Sequence, residues 1–482
     1  MIRLASFRKQ GRGLGSYNVV LNQGISMSSV NQKNRGGPVS AFMRPINSVV
    51  ERFIPSAFVF AIVLTFIVAF LALLLTDAGP VDVIKGWGDG LAGLLAFMTQ
   101  MALILLLGHM LANTRPVHRL LVKLGGVPRG PVQAYVFVCV IAALASLITW
   151  GLGLVVGGLL AREVAAQLRA KGIKLHFPLL VAAGYSGFVV WHMGYSGSGP
   201  LTAATEGSFL AEQLGRTISI TETTFSAWNI TAAFATIVLV ALAMALVAPR
   251  GADRIIELEV DTRDAGLAID DDVVTPADRL DASRILTALV GIGLVAYLVI
   301  HFVQGGTLTL DTVNWSFLAL IFLLVRSPFE VIALTKNSAS NVGEILLQFP
   351  LYAGIAGIMT ASGLITVFSD LFVNISTPQT FGVLALLSAG LVNLFVPSGG
   401  GQFAVQGPIM LDAANQLGVD PSVAIMAVAY GDQWTNMIQP FWALPLLAIA
   451  GLKMRDILGY TTITLIVSGI VFAATLLIVG AG

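Results

Sequence analysis

NLFVPSGGGQFAVQGP, residues 393 to 408, begins at Asn393 and interrupts an apolar stretch with Pro397-Ser398-Gly399-Gly400-Gly401-Gln402, a run that a continuous spanning helix would not carry. One helix further on stands a second polar break, Tyr430-Gly431-Asp432-Gln433-Trp434-Thr435-Asn436. The first half of the chain has the same arrangement. Thr149-Trp150-Gly151-Leu152-Gly153 is followed by Tyr185-Ser186-Gly187 and then by Trp191-His192-Met193-Gly194-Tyr195-Ser196-Gly197-Ser198-Gly199-Pro200. An offset of 245 residues superposes Tyr185 on Tyr430 and Pro200-Leu201 on Pro445-Leu446. Paired helix interruptions at corresponding positions of two halves mark the substrate site of a repeat-built transporter.

Composition agrees. Of 482 residues 56% are hydrophobic and 11% charged, with a mean hydropathy of +0.85, which one soluble core could not hide. The expected fold class is an all-α polytopic membrane protein. A net charge of +1 and five scattered histidines argue against nucleic acid as a partner. The single cysteine, Cys139, excludes a disulfide framework, and no Cys/His zinc pattern exists. Residues 1–45 are polar and rich in Gly and Ser, with Arg3, Arg8, Lys9, Arg12, Lys33, Arg35 and Arg44; they read as a disordered cytoplasmic tail.

Positive charge on the loops sets the topology. The tail puts the start of the first run (54–76) in the cytoplasm, and 90–112 returns. Two further connections carry Arg115, Arg119, Lys123 and Arg129, then Arg162, Arg169, Lys171 and Lys174, so both read as cytoplasmic. Only 32 residues separate them, whereas two crossings need roughly 40 at ~20 each. The chain between them is expected to be a re-entrant hairpin with its tip near Trp150-Gly151. Residues 177–204 cross outward, 224–248 cross back, and 249–283 form a solvated cytoplasmic linker. After it 285–303 and 314–325 cross, and from residue 337 to 452 there is no Lys or Arg. That gap fits an outward crossing (342–366), a second hairpin with its tip at Pro397 to Gly401, and an inward crossing (422–450); 457–480 ends the chain.

The expectation is thus an inverted-repeat transporter with about nine spanning helices, two re-entrant hairpins and two broken helices. Its parts are a first membrane repeat over 46–248, the linker over 249–283, and a linker helix plus a second, inverted repeat over 284–482. Identity between the repeats is thin, with Ala182, Tyr185, Pro200 and Leu201 matching Ala427, Tyr430, Pro445 and Leu446. The charges, not the identities, carry the inversion.

Broken helices expose backbone N–H groups, and half-helix N-termini carry about +0.5 charge, so they favour a carboxylate. No spanning segment supplies a buried Lys or Arg instead. Gly151, Gly153, Gly197, Gly199, Gly399, Gly400 and Gly401 allow close approach to the backbone. Freed carbonyls can hold a small cation. The pattern suits a small anion moving with Na⁺ or H⁺, and no other cofactor.

The strings 87–112 (WGDGLAGLLAFMTQMALILLLGHMLA), 148–165 (ITWGLGLVVGGLLAREVA), 393–408 and 429–451 (AYGDQWTNMIQPFWALPLLAIAG) resemble the bacterial short-chain fatty acid transporter family. The resemblance runs from Pro45 to the C-terminus. It implies a multi-pass inner-membrane carrier, N-terminus cytoplasmic, for acetoacetate, butyrate and similar short monocarboxylates. It also implies distant similarity to the ion transporter superfamily, whose members move an anion site against a static scaffold, and hence a homodimer. The long tail departs from the compact start of such proteins.

The candidate substrate and ion site comprises Thr149, Trp150, Gly151, Gly153, Tyr185, Ser186, His192, Ser196, Ser198, Asn393, Ser398, Gly399, Gly400, Gln402, Tyr430, Asp432, Gln433 and Asn436. Asp432 is the acid within the 422–450 span and reads as a proton carrier or Na⁺ ligand, against a hydrated position at the outer end. His192 reads equally as a titrating group or a structural histidine, and Asn393 as a ligand contact or a helix contact. Ser340 and Asn341 read as caps. Gln100 with His109 suits a helix end, and Trp87 with Asp89 an interfacial belt. Trp434, Trp442, Phe441 and Tyr430 are candidates to wall an alkyl tail, with Trp442 equally an interfacial anchor. At about 0.8 kcal/mol per CH₂, recognition of that tail should be loose. An enzyme is excluded by the lack of a nucleophile-base series or HExxH. A channel fits an inverted pair within one chain less well than a carrier, and a dicarboxylate carrier is the runner-up.

Overall fold

The computed structural model describes residues 57–249, 255–258, 273–339, 342–394, 396 and 398–480. The tail over 1–45, most of the linker, Ser340, Asn341 and Pro397 lie outside the described residues, as does the side chain of Phe441. All regular structure among the described residues is helical. The first half runs α1 (Ala57–Leu75), α2 (Pro80–Gly90), α3 (Leu95–Ala112), α4 (Arg115–Gly125), a hairpin of α5 (Pro131–Ile148) and α6 (Trp150–Ala170), then α7 (Phe177–Ser186), a 3-10 segment (Gly187–Met193), α8 (Ser198–Ala204), α9 (Phe209–Leu214) and α10 (Ala227–Leu246). Short α11 (Pro276–Asp281) and long α12 (Arg284–Val303) follow. The second half runs α13 (Leu310–Leu324), α14 (Pro328–Ala339), α15 (Gly343–Ser362), α16 (Leu364–Ile375), a hairpin of α17 (Pro378–Asn393) and α18 (Gly399–Leu417), then α19 (Pro421–Thr435), a 3-10 turn (Asn436–Ile438), α20 (Pro440–Ala450) and α21 (Met454–Gly480).

The helix breaks fall where the polar strings stand. Thr149 alone, extended at φ −155° and ψ 138°, separates α5 from α6. Ser398 is extended at φ −154° and its hydroxyl accepts from Gly401 N at 3.2 Å, capping α18. Proline stands in the first turn of α5, α7, α17, α19 and α20, where its missing N–H costs nothing. Gly418 and Gly451, at φ 69° and 70°, end α18 and α20 in the left-handed conformation that only glycine adopts cheaply. From α2 through α8, each helix has a counterpart from α14 through α20 that begins within four residues of the 245-residue offset.

Among the described residues eight helices are long and apolar enough to cross a membrane, two of them the arms of the first hairpin, at 18 and 21 residues. These arms are longer than the apolar count predicts because α6 runs on through Arg162, Glu163 and Arg169. Ala61–Leu75 and Leu310–Leu324 are shorter apolar helices. The expected run 90–112 is cut at residues 91–94, α2, α4 and α14 are helices that the apolar pattern does not announce, and α16 is a further short apolar helix that the expected spans leave out.

Burial sorts centre from rim. The window within Phe177–Ala204 is wholly buried, whereas Arg284–Val303 is 11% and Met454–Gly480 22% buried. Phe66, Phe234, Leu289, Val303 and Ile478 face outward, as side chains in lipid do. In the centre the halves interlock: the 3-10 segment 187–193 packs on α5 and α19, α20 packs on α6, and α8 packs on α18 and α19. Of the linker, residues 255–258 lie back along the first half. Phe177 N donates to Ile256 O at 2.8 Å, Ile256 N to His176 Nδ1 at 3.2 Å and Arg169 Nη1 to Leu258 O at 2.6 Å, while the Leu258 side chain is buried.

Candidate functional site

The break at Thr149 is held by the first broken helix. Tyr195 N donates to Leu147 O at 2.7 Å, and Trp150 N donates to Ser196 Oγ at 3.3 Å. The second tip meets the same element from the other side: a Cβ placed on Gly399 would stand 2.7 Å from Ser198 Oγ, 2.7 Å from Trp191 Cη2 and 3.0 Å from His192 Cε1. Only a glycine lets the tip come so near.

His192 is where the two halves join. Its Nδ1 lies 2.8 Å from Asp432 Oδ2, and both side chains are fully buried. Its Nε2 lies 3.1 Å from Gly199 N and 3.0 Å from Ser198 Oγ, while its backbone N donates to Gln433 Oε1 at 2.9 Å. A backbone N–H can only donate, so Nε2 carries the lone pair; Nδ1 then bears the ring hydrogen and donates to Asp432. The second carboxylate oxygen, Asp432 Oδ1, has no hydrogen-bond partner. A neutral imidazole beside an ionised carboxylate leaves one net negative charge in the core, which costs several kcal/mol unless a cation or proton joins it.

A second web surrounds this pair. Asn393 Nδ2 is within reach of Asp432 O (2.7 Å), Thr435 Oγ1 (2.9 Å) and Asn436 Oδ1 (2.7 Å), and Tyr185 OH donates to Asn436 O at 2.7 Å. Gln439 Nε2 donates to Asn393 O at 2.8 Å, and Gln402 Nε2 to Ala389 O at 2.8 Å. Yet Asn393 Oδ1, Gln402 Oε1, Gln439 Oε1, Gln433 Nε2, Asn436 Nδ2, Thr149 Oγ1 and the indole nitrogens of Trp150 and Trp191 are buried without partners. Buried polar groups are almost always paired. Among these unmet groups the donors are of the kind that suits a carboxylate and the oxygens of the kind that suits a cation.

Aromatic rings adjoin the web. Trp150 lies 5.2 Å from Trp442 and 6.3 Å from Trp191, centroid to centroid, and Phe188 stacks on Trp191 at 5.9 Å. Trp191 in turn stacks on His192 at 4.1 Å, with Phe403 edge-on to the imidazole at 5.5 Å.

The structure therefore brings together Trp150, His192, Ser196, Ser198, Gly399, Asn393, Asp432, Gln433 and Asn436, with Thr149 and Gln402 adjoining. Ser398 caps α18, and Gly400 faces Phe97 and Phe349. Gly151 lies against Gly108 and His109 backbone and Gly153 against Ser146, so these two pack helices. Tyr185 braces Asn436 through its hydroxyl. Ser186 bonds Thr464 at 2.6 Å, and Tyr430 bonds Asn229 at 2.8 Å with its ring on Phe472, both away from the tips. Trp434 also turns outward, its indole donating to Leu465 O at 2.7 Å. Gln100 reaches Asp311 at 2.8 Å, apart from the site. Sequence reasoning missed Trp191, Phe188, Phe403 and Gln439, whereas the backbone of Gly199 was among the glycines expected to allow close approach. The one signal for Trp191 was its place next to His192 in a broken helix.

A family model described as short chain fatty acid transporter matches residues 39–479. A candidate short-chain fatty acid transporter of Escherichia coli (strain K12) is 40% identical over 440 residues, 90% of this chain and 98% of that protein. A counterpart in Haemophilus influenzae is 35% identical over 452 residues, 92% and 99% of the two chains. Among solved structures the chain is similar to the YdaH transporter of Alcanivorax borkumensis (TM-score 0.57, 14% identity, 87% of this chain and 98% of that one). It is also similar to MtrF of Neisseria gonorrhoeae, described within a class of antimetabolite efflux pumps (TM-score 0.50, 16% identity, 90% and 97%). At such identities the structural likeness speaks for the fold alone.

Proposed function

This chain belongs to the short-chain fatty acid transporter family, and from that premise we propose that it carries short monocarboxylates such as butyrate and acetoacetate across the bacterial inner membrane, coupled to a cation. The observation that carries the coupling is the buried His192–Asp432 pair, formed between the halves, with Asp432 Oδ1 unpartnered. A cation or proton there offsets the buried charge. The unpaired donors of Trp150, Trp191, Gln433 and Asn436 suit the carboxylate, and the faces of Phe188 and Trp442 suit a short alkyl tail. The elements that build the site contribute no Lys or Arg to it, since 130–161, 175–215 and 337–452 lack both, which favours a monoanion over a dicarboxylate.

The proposed topology keeps the N-terminus cytoplasmic, the halves over 46–248 and 284–482 inverted, and both hairpins re-entrant. Because His192, Asp432, Gln433 and Asn436 are closed off from solvent, loading and release call for movement. Alternating access supplies it, with hairpins and broken helices moving against the remaining helices.

Uptake of radiolabelled butyrate and acetoacetate into proteoliposomes under imposed ion gradients tests the reading. Saturable, gradient-driven uptake above that of protein-free vesicles, unaffected by excess succinate, is the expected result. Competition by succinate at equal strength would turn the reading toward dicarboxylates, and non-saturable flux toward a channel.

A further inference from the structure

We propose that the coupling ion is a proton, that it lands on Nε2 of His192, and that its arrival there creates the receptor for the substrate carboxylate. The inference deepens the transport reading above and rests on it. In the structure the Nε2 edge is an acceptor, occupied by Gly199 N–H at 3.1 Å with Ser198 Oγ at 3.0 Å. Behind it Nδ1–H donates to Asp432 at 2.8 Å. A carboxylate brought to this edge would meet a lone pair and, one ring further, a negative charge. It would be repelled.

One proton from solvent, forming an N–H bond at Nε2, reverses both terms. The pair becomes imidazolium and carboxylate with no net charge, the arrangement in which a buried ion pair is tolerated. Nε2–H now donates, and Gly199 N–H loses its acceptor. Two donors that shared one bond both need a partner, and the two oxygens of a carboxylate meet both, with the Ser198 hydroxyl alongside. Charge-assisted bonds of this kind are the strong ones. Trp191 adds an unpaired indole N–H from the ring stacked on the imidazole at 4.1 Å. Anion binding then requires the proton, and proton binding is stabilised by the anion, which is reciprocal coupling in the thermodynamic sense. On release both leave together, and each cycle moves no net charge.

Among the described residues no other charged group faces the imidazole. Asp432 comes from α19, whose Tyr430 is engaged by Asn229; Ser198 comes from α8, and Gly399 and Phe403 from α18. Of the titratable groups on neighbouring α5 and α7, Tyr135 accepts from His176 N, Tyr185 donates to Asn436 O, and Cys139 lies beside Gly187 through its carbonyl. The ionisable residues of α6, Arg162, Glu163 and Arg169, lie beyond its apolar part, and α10 has none.

The test is titration calorimetry of acetoacetate into the intact protein in nanodiscs, in two buffers of different ionisation enthalpy, with and without Na⁺. The buffer dependence of the heat counts protons. Expected are proton uptake on binding that approaches one per anion as pH rises, no requirement for Na⁺, and loss of that uptake in His192→Gln. Uptake into vesicles should also be indifferent to a potassium diffusion potential. Buffer-independent heats together with a Na⁺ requirement would overturn the proposal and leave the transport function standing. Failure of the wild-type protein to bind or carry either acid would overturn the function, and this proposal with it. If His192→Gln fails to fold, the proton count of the wild-type protein still tests the proton coupling, and the shift of the ring's C–H resonances on adding acetoacetate, expected to move to the imidazolium position, tests the site; resonances that stay at the neutral position would overturn it.

Discussion

At the scale of single residues, the site is a balance of unmet polar capacity, and each unmet atom can be removed. Asp432→Asn deletes the buried charge while leaving an oxygen for His192 Nδ1–H. Gradient-driven accumulation of butyrate should fall at least about tenfold, since the change removes one partner of a buried charged hydrogen bond. Exchange of internal for external butyrate should persist, and accumulation equal to wild type would reject the His192–Asp432 pair as the coupling site. Trp191→Phe keeps an aromatic ring against His192 and removes the indole N–H together with part of the ring's packing. The loss of one bond to a carboxylate predicts a KM for butyrate raised roughly tenfold with kcat little changed. Trp87, whose indole nitrogen is also buried without a partner but near Gly354, is the control: Trp87→Phe should leave KM alone. At this scale the sequence was half legible. Asp432 and His192 stand out as ionisable groups in apolar surroundings, but their pairing across 240 residues is invisible in a linear chain. The aromatic wall was misjudged for the same reason. Trp434 and Trp442 look alike in sequence, and only packing turns one toward α21 and the other toward Trp150.

At the scale of elements, the breaks were readable because glycine, proline and serine act locally. Thr149, Gly187 and Ser398 end or tighten helices at the expected strings. The short helices α2, α4 and α14 were not readable, since an apolar count sees long apolar runs and not the short polar-bearing helices between spans. The close crossing of α5 by the 3-10 segment makes a sharp prediction. A Cβ at Gly187 would stand 2.5 Å from Ala143 N and 2.6 Å from Cys139 O, both backbone, so nothing can swing aside. Gly187→Ala should cost about 1–3 kcal/mol, seen as a lower thermal midpoint in detergent. The first hairpin tip offers a test of motion. Gly108 of α3 lies so close to Thr149 that an added Cβ would stand 3.0 Å from its hydroxyl. In a Cys139→Ser background, Thr149→Cys paired with Gly108→Cys should form a disulfide that halts uptake, and reduction should restore it. Uptake undiminished in the oxidised protein would reject movement of the tip against α3.

At the scale of the whole molecule, a buried centre of hairpins and broken helices sits inside helices whose outer faces are apolar. The centre is held partly by the strap at residues 255–258. Leu258 is buried there, so Leu258→Asp should release the strap and lower the thermal midpoint, whereas the same change at exposed Ile255 should not. The all-helical, multi-span fold class was the most legible level, because composition acts over the full length of the chain and does not depend on any single contact.

The matched order of helices in the two halves has one more consequence. At the 245-residue offset the position of His192 is taken by Met437, and that of Asp432 by Gly187. A symmetric pair of first halves would set two histidines opposite two glycines, and a pair of second halves two aspartates opposite two methionines. Neither ancestor-like assembly would own an acid and a base in contact. The order of helices is matched between the halves but the acid–base pair is not: among the described residues His192 and Asp432 meet once, and at the offset each gives way to a residue that neither takes nor releases a proton.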